Sequence, residues 1–148
     1  MDKKIQLIDD TICAVCSPSG IGSIAVIRVS GPKSFKIIEK IFFPANKKKF
    51  SLLESRKAYI GDIVYKEKIL DESLCLLFKS PNSLTGQDLV ELHTHGGVIV
   101  PEMVISALVD LGARIAEPGE FSYRSYQNGK IDLLKAEAVS TLIASQTE

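Results

Sequence analysis

Cysteine, long apolar runs and net charge are scarce or absent in this sequence. Its three cysteines are few and odd in number, which argues against a disulfide framework and suits a reducing compartment. No run approaches the roughly 18 consecutive apolar residues that span a bilayer, and residues 1–10 lack a signal-peptide core and a small-residue cleavage site. These absences predict a soluble cytoplasmic protein with no membrane partner.

The charges of the two signs are equal in number. Lysine plus arginine and aspartate plus glutamate each amount to 18, so the formal net charge is zero. Affinity for the phosphate backbone of nucleic acids comes mainly from counterion release by a basic surface. If RNA is involved, we therefore expect other parts of the full protein, or a partner, to make most of the contact.

The 148 residues are 45% apolar and 24% charged, which is the composition of one globular domain. Runs rich in β-branched residues alternate with runs of helical spacing, and this predicts an α+β fold with a mixed β-sheet and flanking helices. Strands are predicted over residues 11–16, 24–30, 59–65, 73–78 and 89–95. Helices are predicted over residues 32–43, 101–111 and 132–148, and loops over 46–55 and 80–88.

Helix boundaries in this prediction rest on capping residues and on apolar spacing. Phe35, Ile38 and Phe42 recur at helical spacing and predict one buried stripe on the first helix. Gly112 suits the left-handed end of the second helix, and Asp132 suits the N-cap of the last. The last helix meets no stop signal before the sequence ends, so we expect it to begin a second, helical domain.

Two glycine patterns resemble nucleotide-binding motifs, and the context argues against both. Gly20 to Ala25 fits G-x-G-x-x-A, but a strand-like run follows where a dinucleotide site requires a helix N-terminus. Gly31 to Ser34 imitates the end of a P-loop, yet it lacks the upstream glycine and contains a proline. This chain is therefore not expected to hydrolyse nucleotide by itself.

Cysteine and histidine pairs are weak candidates for metal binding. Cys13 and Cys16 lie three apart, so on a strand their thiols point to opposite faces. Cys75 stands in an apolar run and is expected to be a buried hydrophobe. His93 and His95 would share one face of a strand, but the sequence nominates no further ligands, and two polar residues at a strand end is the favoured interpretation.

A set of polar stretches is far more specific when its members are taken in order. They are Ile27-Arg28-Val29-Ser30-Gly31-Pro32, Ser83-Leu84-Thr85-Gly86-Gln87-Asp88, Glu91-Leu92-His93-Thr94-His95-Gly96-Gly97, Glu117-Pro118-Gly119-Glu120-Phe121-Ser122 and Asn128-Gly129-Lys130-Ile131-Asp132. This succession resembles the N-terminal, folate-binding region of the MnmE (TrmE) family of tRNA-modification GTPases, over nearly the whole chain.

The resemblance implies a domain organisation and a set of partners. Residues 1–128 would form a folate-binding and dimerisation domain resembling the tetrahydrofolate-binding domain of aminomethyltransferases, and residues 129–148 would start a truncated helical domain. The one-carbon donor would be 5-formyl- or methylene-tetrahydrofolate. Together with the flavoprotein MnmG, the full protein would add a carboxymethylaminomethyl group to the wobble uridine of tRNA. GTP, Mg²⁺ and K⁺ would bind only in the GTPase domain, which is absent here.

By motif match, the folate-contacting residues of the family fall on Arg28, Glu91 and Lys130. The chemistry is reasonable, since a carboxylate can accept two adjacent hydrogen bonds from a reduced pterin, and cations can hold the carboxylates of the folate tail. No catalytic residue and no metal ligand is assigned. The alternative interpretations are a salt-bridged strand arginine, an exposed glutamate and a lysine that merely precedes a helix.

Departures from the family pattern limit what the resemblance carries over. Ile21 and Ser23 replace an arginine and a glycine in the loop after the first strand, which leaves any contact of that loop open. His93 stands where glutamine is common, and Ser125 replaces alanine. Two other functions stay open at this point: a complete small one-carbon transferase, and a dimerisation module that binds no ligand.

Overall fold

A mixed β-sheet forms the centre of the fold. The computed structural model describes residues 10–18 and 21–147. Within these ranges seven strands form one sheet in the order β3-β4-β5-β6-β2-β1-β7. Neighbouring strands are antiparallel except β1 and β7, which are parallel. The strands are β1 Ile12–Val15, β2 Ile24–Ser30, β3 Phe42–Pro44, β4 Ala58–Tyr65, β5 Lys68–Phe78, β6 Leu89–His95 and β7 Arg114–Ile115.

Four α-helices and one short 3₁₀ segment complete the described part of the chain. They are α1 Ser34–Glu39, the 3₁₀ segment Phe50–Leu52, α2 Ile99–Asp110, α3 Glu120–Gln127 and α4 Leu133–Thr147. The mixed α+β fold predicted from the alternating patterns is therefore confirmed. None of the helices in the described ranges is long and apolar enough to cross a membrane.

The hydrophobic core lies between one face of the sheet and the helices α1 and α2. Because side chains alternate along a strand, every second residue of each central strand points to this face. Helix α1 contributes Ile37 and Ile38, and α2 contributes Val104 and Leu108. The strand residues that they cover include Cys13, Ile27, Val29, Cys75, Leu77, Val90 and Leu92. Burying each large aliphatic side chain contributes about 1.5–3 kcal/mol.

The opposite face of the sheet is only partly covered. The loop after β5 and helix α3 enclose one end of it, and Ile12, Ser30 and Leu89 are fully buried there. Beyond α3 the strands carry side chains that are half-buried or that no described residue covers. We call this region the open face, and it comprises Ile24, Val26, Arg28, Ile60, Leu74, Leu76, Glu91 and His93.

Several predicted boundaries hold, and their caps explain why. Strands β2 and β6 have the predicted bounds. Helix α2 begins two residues earlier than predicted, at Ile99, and its predicted end at Gly112 holds, since the φ of +112° there disfavours any residue with a Cβ. Helix α4 follows Asp132, whose Oδ1 accepts a hydrogen bond from the Lys135 backbone N–H at 2.8 Å. The N-cap role of Asp132 is confirmed.

The first helix is shorter than its apolar spacing predicts. Helix α1 ends at Glu39, and the last turn tightens through bonds from the Lys40 and Ile41 amides to the carbonyls three residues back. Phe42 is buried, but it lies in β3 and pairs with Ile63 of β4. The prediction of a helix through residue 43 was wrong because tertiary strand pairing outweighs the local periodicity there.

The segment predicted as the solvated loop 46–55 also has a buried side. Phe50 and Leu53 belong to the core, and the Phe50 ring meets the Phe35 ring edge-on with centroids 6.3 Å apart. This contact fixes the 3₁₀ segment against α1. The run of polar residues before Phe50 masked the two apolar residues that hold the segment down.

Strand β7 and helix α3 were not predicted from the sequence, and the predicted strand at β5 was too short. Strand β5 begins at Lys68, so only Lys66 and Glu67 connect it to β4. Strand β7 has two residues and α3 has eight, and neither length gives a readable period. Residues 1–9, on which the signal-peptide argument rests, lie outside the described residues, as does Gly20 of the first glycine pattern. The strand-like context after that pattern is confirmed by β2.

Candidate functional site

An ion pair between neighbouring strands lies in the middle of the open face. Strands β2 and β6 are antiparallel, and their register places Arg28 directly opposite Glu91. Both the Nε and the Nη2 of Arg28 donate to Oε1 of Glu91, at 3.3 Å and 3.1 Å. The two side chains are 22% and 20% exposed, so water reaches the pair from one side only. The strand pairing thus joins two of the three predicted site residues.

His93 engages the second oxygen of the same carboxylate. It lies two residues after Glu91 on β6 and therefore on the same face, and its Nε2 stands 3.2 Å from Oε2 of Glu91. The carboxylate is held between an arginine and an imidazole, with each oxygen contacted by a different partner. In the sequence, His93 was considered as a weak metal candidate with His95 and as a departure from the family pattern, and no contact with Glu91 was predicted. The alternation along β6 would have been enough to place it beside Glu91.

Helix α3 covers the arginine end of this arrangement. The guanidinium carbon of Arg28 lies 5.4 Å from the centroid of the Phe121 ring, within the range of a cation–π contact worth about 0.5–1 kcal/mol at an exposed site. Phe121 is carried there because the chain turns sharply at Gly119, which has a φ of +77°. The Phe121 contact escaped the sequence analysis because α3 itself was not predicted.

A shallow groove runs along the open face beside His93. Its volume is about 390 Å³, which is within the size range of small-molecule sites at roughly 300–1,000 Å³. Apolar side chains of β2, β4 and β5 form much of its wall, and polar groups of β5 and β6 close the end. The lining residues are Ser23, Ile24, Ile60, Glu72, Ser73, Leu74, His93, Thr94 and His95.

Lys130, the third predicted site residue, lies apart from the ion pair. It is exposed and follows Gly129 at the end of α3, where its backbone N–H donates to the Ser125 carbonyl at 2.8 Å. No contact among the described residues joins its ammonium to Arg28 or Glu91. An eight-residue helix is about 12 Å long at 1.5 Å per residue, and α3 separates the Phe121 end from the Lys130 end by about that length.

A buried charge network anchors α3 beneath the site. Arg114 donates to both carboxylate oxygens of Glu120, at 3.0 Å and 2.6 Å, and to Asp10 at 2.9 Å. Arg124, only 1% exposed, reaches the same Glu120, the backbone carbonyl of Asp10 and the side chain of Gln87. In the sequence Glu120 stands out only as part of a motif, and none of these contacts was predicted.

Electrostatics within this network favour the charged form of the carboxylate. Burial alone would raise the pKa of Glu120, but the hydrogen bonds from Arg114 and the Glu117 backbone, together with the two arginine charges, leave the pKa below its ordinary value. Burial lowers the pKa of Arg124, and the Glu120 charge opposes that effect. The network therefore holds an ionised glutamate between two guanidinium groups.

The remaining candidate ligands do not converge. Cys13 and Cys75 lie in the core, where burial raises the pKa of each thiol, to about 11 and about 12. Cys16 follows the end of β1 and is exposed, so its thiol does not share the buried environment of Cys13. His95 contacts Asp71, with Nδ1 2.7 Å from Oδ1. Among the residues that the structure describes, no group of three or more such side chains could hold a metal ion.

Comparisons with known proteins agree with the order of the motifs. The family model described as "GTP-binding protein TrmE N-terminus" matches residues 11–130. A protein of Chlamydia pneumoniae named tRNA modification GTPase MnmE is 44% identical over 141 residues, which are 95% of this chain and 31% of that relative. Proteins of the same name from Parabacteroides distasonis and Thermosipho melanesiensis are 46% and 47% identical over 139 residues each.

These alignments cover 91% and 94% of this chain, and 30% of each of the latter two relatives. The chain therefore spans about a third of the length of the curated relatives that it matches. The residues matched by the family model include β2 and β6, the strands that carry the ion pair of the open face.

Proposed function

The chain belongs to the GTP-binding protein TrmE N-terminus family, and from that premise we propose that it serves as the first domain of a tRNA-modification GTPase, where it binds a reduced folate and forms a homodimer. The observation that carries this proposal is the Glu91 carboxylate on the open face, oriented by Arg28 and His93 beside an apolar groove. A reduced pterin presents adjacent N–H groups that a carboxylate can accept together.

The contacts of Glu91 define how a pterin would approach it. An ionised carboxylate offers about four acceptor positions, and Arg28 and His93 use three of them. A pterin that donates two hydrogen bonds needs two positions, so one present contact must yield. The His93 contact is the better candidate, because it is a single bond from a side chain that is 30% exposed.

Arg28 and Lys130 have separate roles in this proposal. Arg28 neutralises and aims Glu91, since both of its contacting nitrogen atoms meet that carboxylate. Lys130 would meet the glutamate tail of the folate, because it is exposed and lies at the end of α3 remote from Phe121. A benzoyl-glutamate tail bridges a distance of about the length of α3. Ligand sites of proteins commonly combine an apolar wall with a few such polar contacts.

The open face also supports a homodimer. Ile24, Ile60 and Leu74 are 62%, 51% and 41% exposed on it, and apolar patches of this kind mark interaction surfaces. A second copy seated there would cover the groove and exclude water from the ion pair. We propose that the folate site is completed in this way, and that the domain shares its architecture with the folate-binding domain of aminomethyltransferases.

The names of the relatives, each of which is about three times as long as this chain, support a wider role in tRNA modification. We propose that the full protein acts with MnmG on the wobble uridine of tRNA and that this domain presents 5-formyl- or methylene-tetrahydrofolate as the one-carbon source. GTP, Mg²⁺ and K⁺ would then bind in a GTPase module outside this chain.

Calorimetric titration with 5-formyl-tetrahydrofolate tests the folate site. We expect saturable binding by the wild-type chain and a loss of at least about tenfold in affinity for Glu91→Ala, because the paired pterin N–H groups lose their acceptor. Glu39→Ala is the matched control, since Glu39 is an exposed carboxylate on α1, on the other side of the sheet. Its affinity should equal that of the wild type.

Two outcomes would replace this proposal with the alternatives left open by the sequence. No heat from the wild-type chain at any folate concentration would favour a dimerisation module in which Arg28 and Glu91 only stabilise the sheet. One-carbon transfer from the folate to an amine by this chain alone, without a partner protein, would favour a complete transferase.

A further inference from the structure

Lysines are concentrated on one segment of a chain that has no net charge. Residues 33–49 contain six lysines and a single acidic residue, Glu39, so this segment has a formal charge of +5 and the rest of the chain −5. All six lysine side chains are exposed. We call them the lysine surface, and they are Lys33, Lys36, Lys40, Lys47, Lys48 and Lys49. The balanced total charge conceals this asymmetry.

The fold places all six lysines at or beside α1. Lys36 lies on α1 and Lys33 and Lys40 cap its two ends; because the three are three and four residues apart, they follow one exposed side of the helix, next to the side that buries Ile37 and Ile38. The other three lysines directly precede Phe50. Its edge-on ring contact with Phe35 of α1, 6.3 Å between centroids, brings that run beside the helix.

These lysines have no carboxylate partner among the residues that the structure describes. Some other cations in the described ranges are paired: Lys57 with Glu54, Arg28 with Glu91 and Arg114 with Asp10 and Glu120. None of the ion pairs in the described ranges includes a member of the lysine surface. Six unpaired like charges create a positive field that attracts a polyanion.

The lysine surface lies on the opposite side of the sheet from the proposed folate site. Helix α1 packs its apolar side onto the core face, whereas Arg28 and Glu91 are on the open face. A second copy seated on the open face would therefore leave the lysine surface exposed in both protomers. The two surfaces can act at the same time.

We propose that the lysine surface binds the phosphate backbone of RNA. The inference rests on the proposed function for the choice of RNA, because the relatives are named as tRNA-modification proteins. The surface contains lysine and no arginine. Lysine is a compact, flexible point charge, which suits contacts with phosphates. The contact is thus with the backbone and independent of base sequence.

An anionic membrane fits this surface less well. Helices that lie on membranes insert an apolar face between the lipids. The apolar side of α1 is instead committed to the core, with Ile37 and Ile38 at most 2% exposed. The lysine surface thus offers charge without an apolar face to insert.

Fluorescence anisotropy with a labelled, unmodified tRNA transcript tests this proposal. The affinity is measured at KCl concentrations from about 50 to 200 mM, a range in which counterion release changes it strongly. The variants are Lys33→Gln/Lys36→Gln/Lys40→Gln and Lys47→Gln/Lys48→Gln/Lys49→Gln. We expect each to bind at least about tenfold more weakly at low salt. We also expect the slope of log K against log[salt] to fall by about two to three for each, since every phosphate contact contributes about one.

The matched control is Lys66→Gln/Lys68→Gln/Lys79→Gln, which removes the same charge from exposed lysines elsewhere. It should bind the tRNA within about twofold of the wild type. The proposal would be overturned by an equal loss of affinity in the control or by the absence of salt-dependent binding by the wild type. It would also be overturned by stronger binding to vesicles with phosphatidylserine, or to polyglutamate, than to tRNA. Folate titration of the same variants should match the wild type, which separates failure here from failure of the folate site.

Discussion

Individual residues of the charge network that anchors α3 give the sharpest expectation about stability. Glu120 is 7% exposed and contacts Arg114 and the buried Arg124. Removing one partner from a buried ion pair leaves an uncompensated charge, so we expect Glu120→Gln to lower the free energy of unfolding by about 3 kcal/mol. Urea denaturation at neutral pH measures this. Glu102→Gln, an exposed position on α2, should change it by less than about 0.5 kcal/mol.

The same residue makes stability depend on pH with a definite sign. The pKa of Glu120 is lowered in the folded state. The contribution of its carboxylate to the free energy of unfolding is therefore complete above the pKa of an unfolded glutamate, about 4.3, and is lost as the pH falls through the lower pKa of the folded state. The gap in stability between the wild type and Glu120→Gln should therefore narrow under acid conditions. A gap that stays constant down to the acid limit would mean that the carboxylate charge contributes nothing.

At this scale the sequence identifies residues better than it identifies their contacts. The family motifs nominated Arg28 and Glu91, and strand alternation would have added His93. The position of Phe121 over Arg28 depends instead on the turn at Gly119 and on α3 packing over the sheet. A contact that depends on the docking of an element cannot be read from spacing along the chain.

Among the elements, the β4–β5 hairpin contains a connection that its residues do not favour. Lys66 and Glu67 have φ values of +50° and +63°, a conformation that costs residues with a Cβ roughly 1–2 kcal/mol each. Two-residue hairpin loops of this kind normally contain Asn-Gly. We expect Glu67→Gly to raise the free energy of unfolding by about 1 kcal/mol, as measured by urea denaturation.

The same substitution at Glu72 is the matched control for the hairpin. Glu72 is an exposed residue within β5, where glycine loses more conformational freedom on folding and should destabilise the protein by about 0.5–1 kcal/mol. Opposite signs for Glu67→Gly and Glu72→Gly are the expected result. If both variants are destabilised, the turn is not under the strain that its φ angles imply.

Element predictions succeeded where one signal dominated and failed where two competed. Strands β2 and β6 were predicted at their observed bounds because β-branched runs end there at a glycine. Phe42 fitted the period of α1 and the burial of β3 equally well, and pairing with Ile63 decided between them. In the described sheet β7 pairs only with β1, and the Arg114 and Ala116 amides donate to the Thr11 and Cys13 carbonyls. An edge strand of two residues depends on its pairing with the neighbouring strand and is too short to give a periodic pattern in the sequence.

For the whole molecule, the sequence predicted the α+β class and the family but not the distribution of charge and apolar surface. Net charge is a sum over the chain, so it cannot show that the lysine surface is on one side of the sheet and the exposed Ile24, Ile60 and Leu74 are on the other. Which strand residues stay uncovered depends on how far α3 extends across the open face. That extent follows from tertiary packing.

The proposed dimer predicts that the exposed apolar residues of the open face are needed for assembly of the protein. Leu74→Asp places a charge at the centre of the apolar part of the open face, where pairing would force its desolvation. We expect the wild type to sediment as a dimer and Leu74→Asp to dissociate at least tenfold more readily, a change of about 1.4 kcal/mol or more. Analytical ultracentrifugation over a concentration series measures both.

Leu52→Asp is the control for that experiment, because Leu52 is 65% exposed in the 3₁₀ segment, outside the open face. Its dimer should be as stable as that of the wild type. In the proposed dimer the second copy would form the outer wall of the groove, so Leu74→Asp should also weaken 5-formyl-tetrahydrofolate binding at protein concentrations where it is monomeric, and raising the concentration should restore part of the affinity by mass action. Monomeric wild-type protein that binds the folate with unchanged affinity would show that one copy suffices for the site.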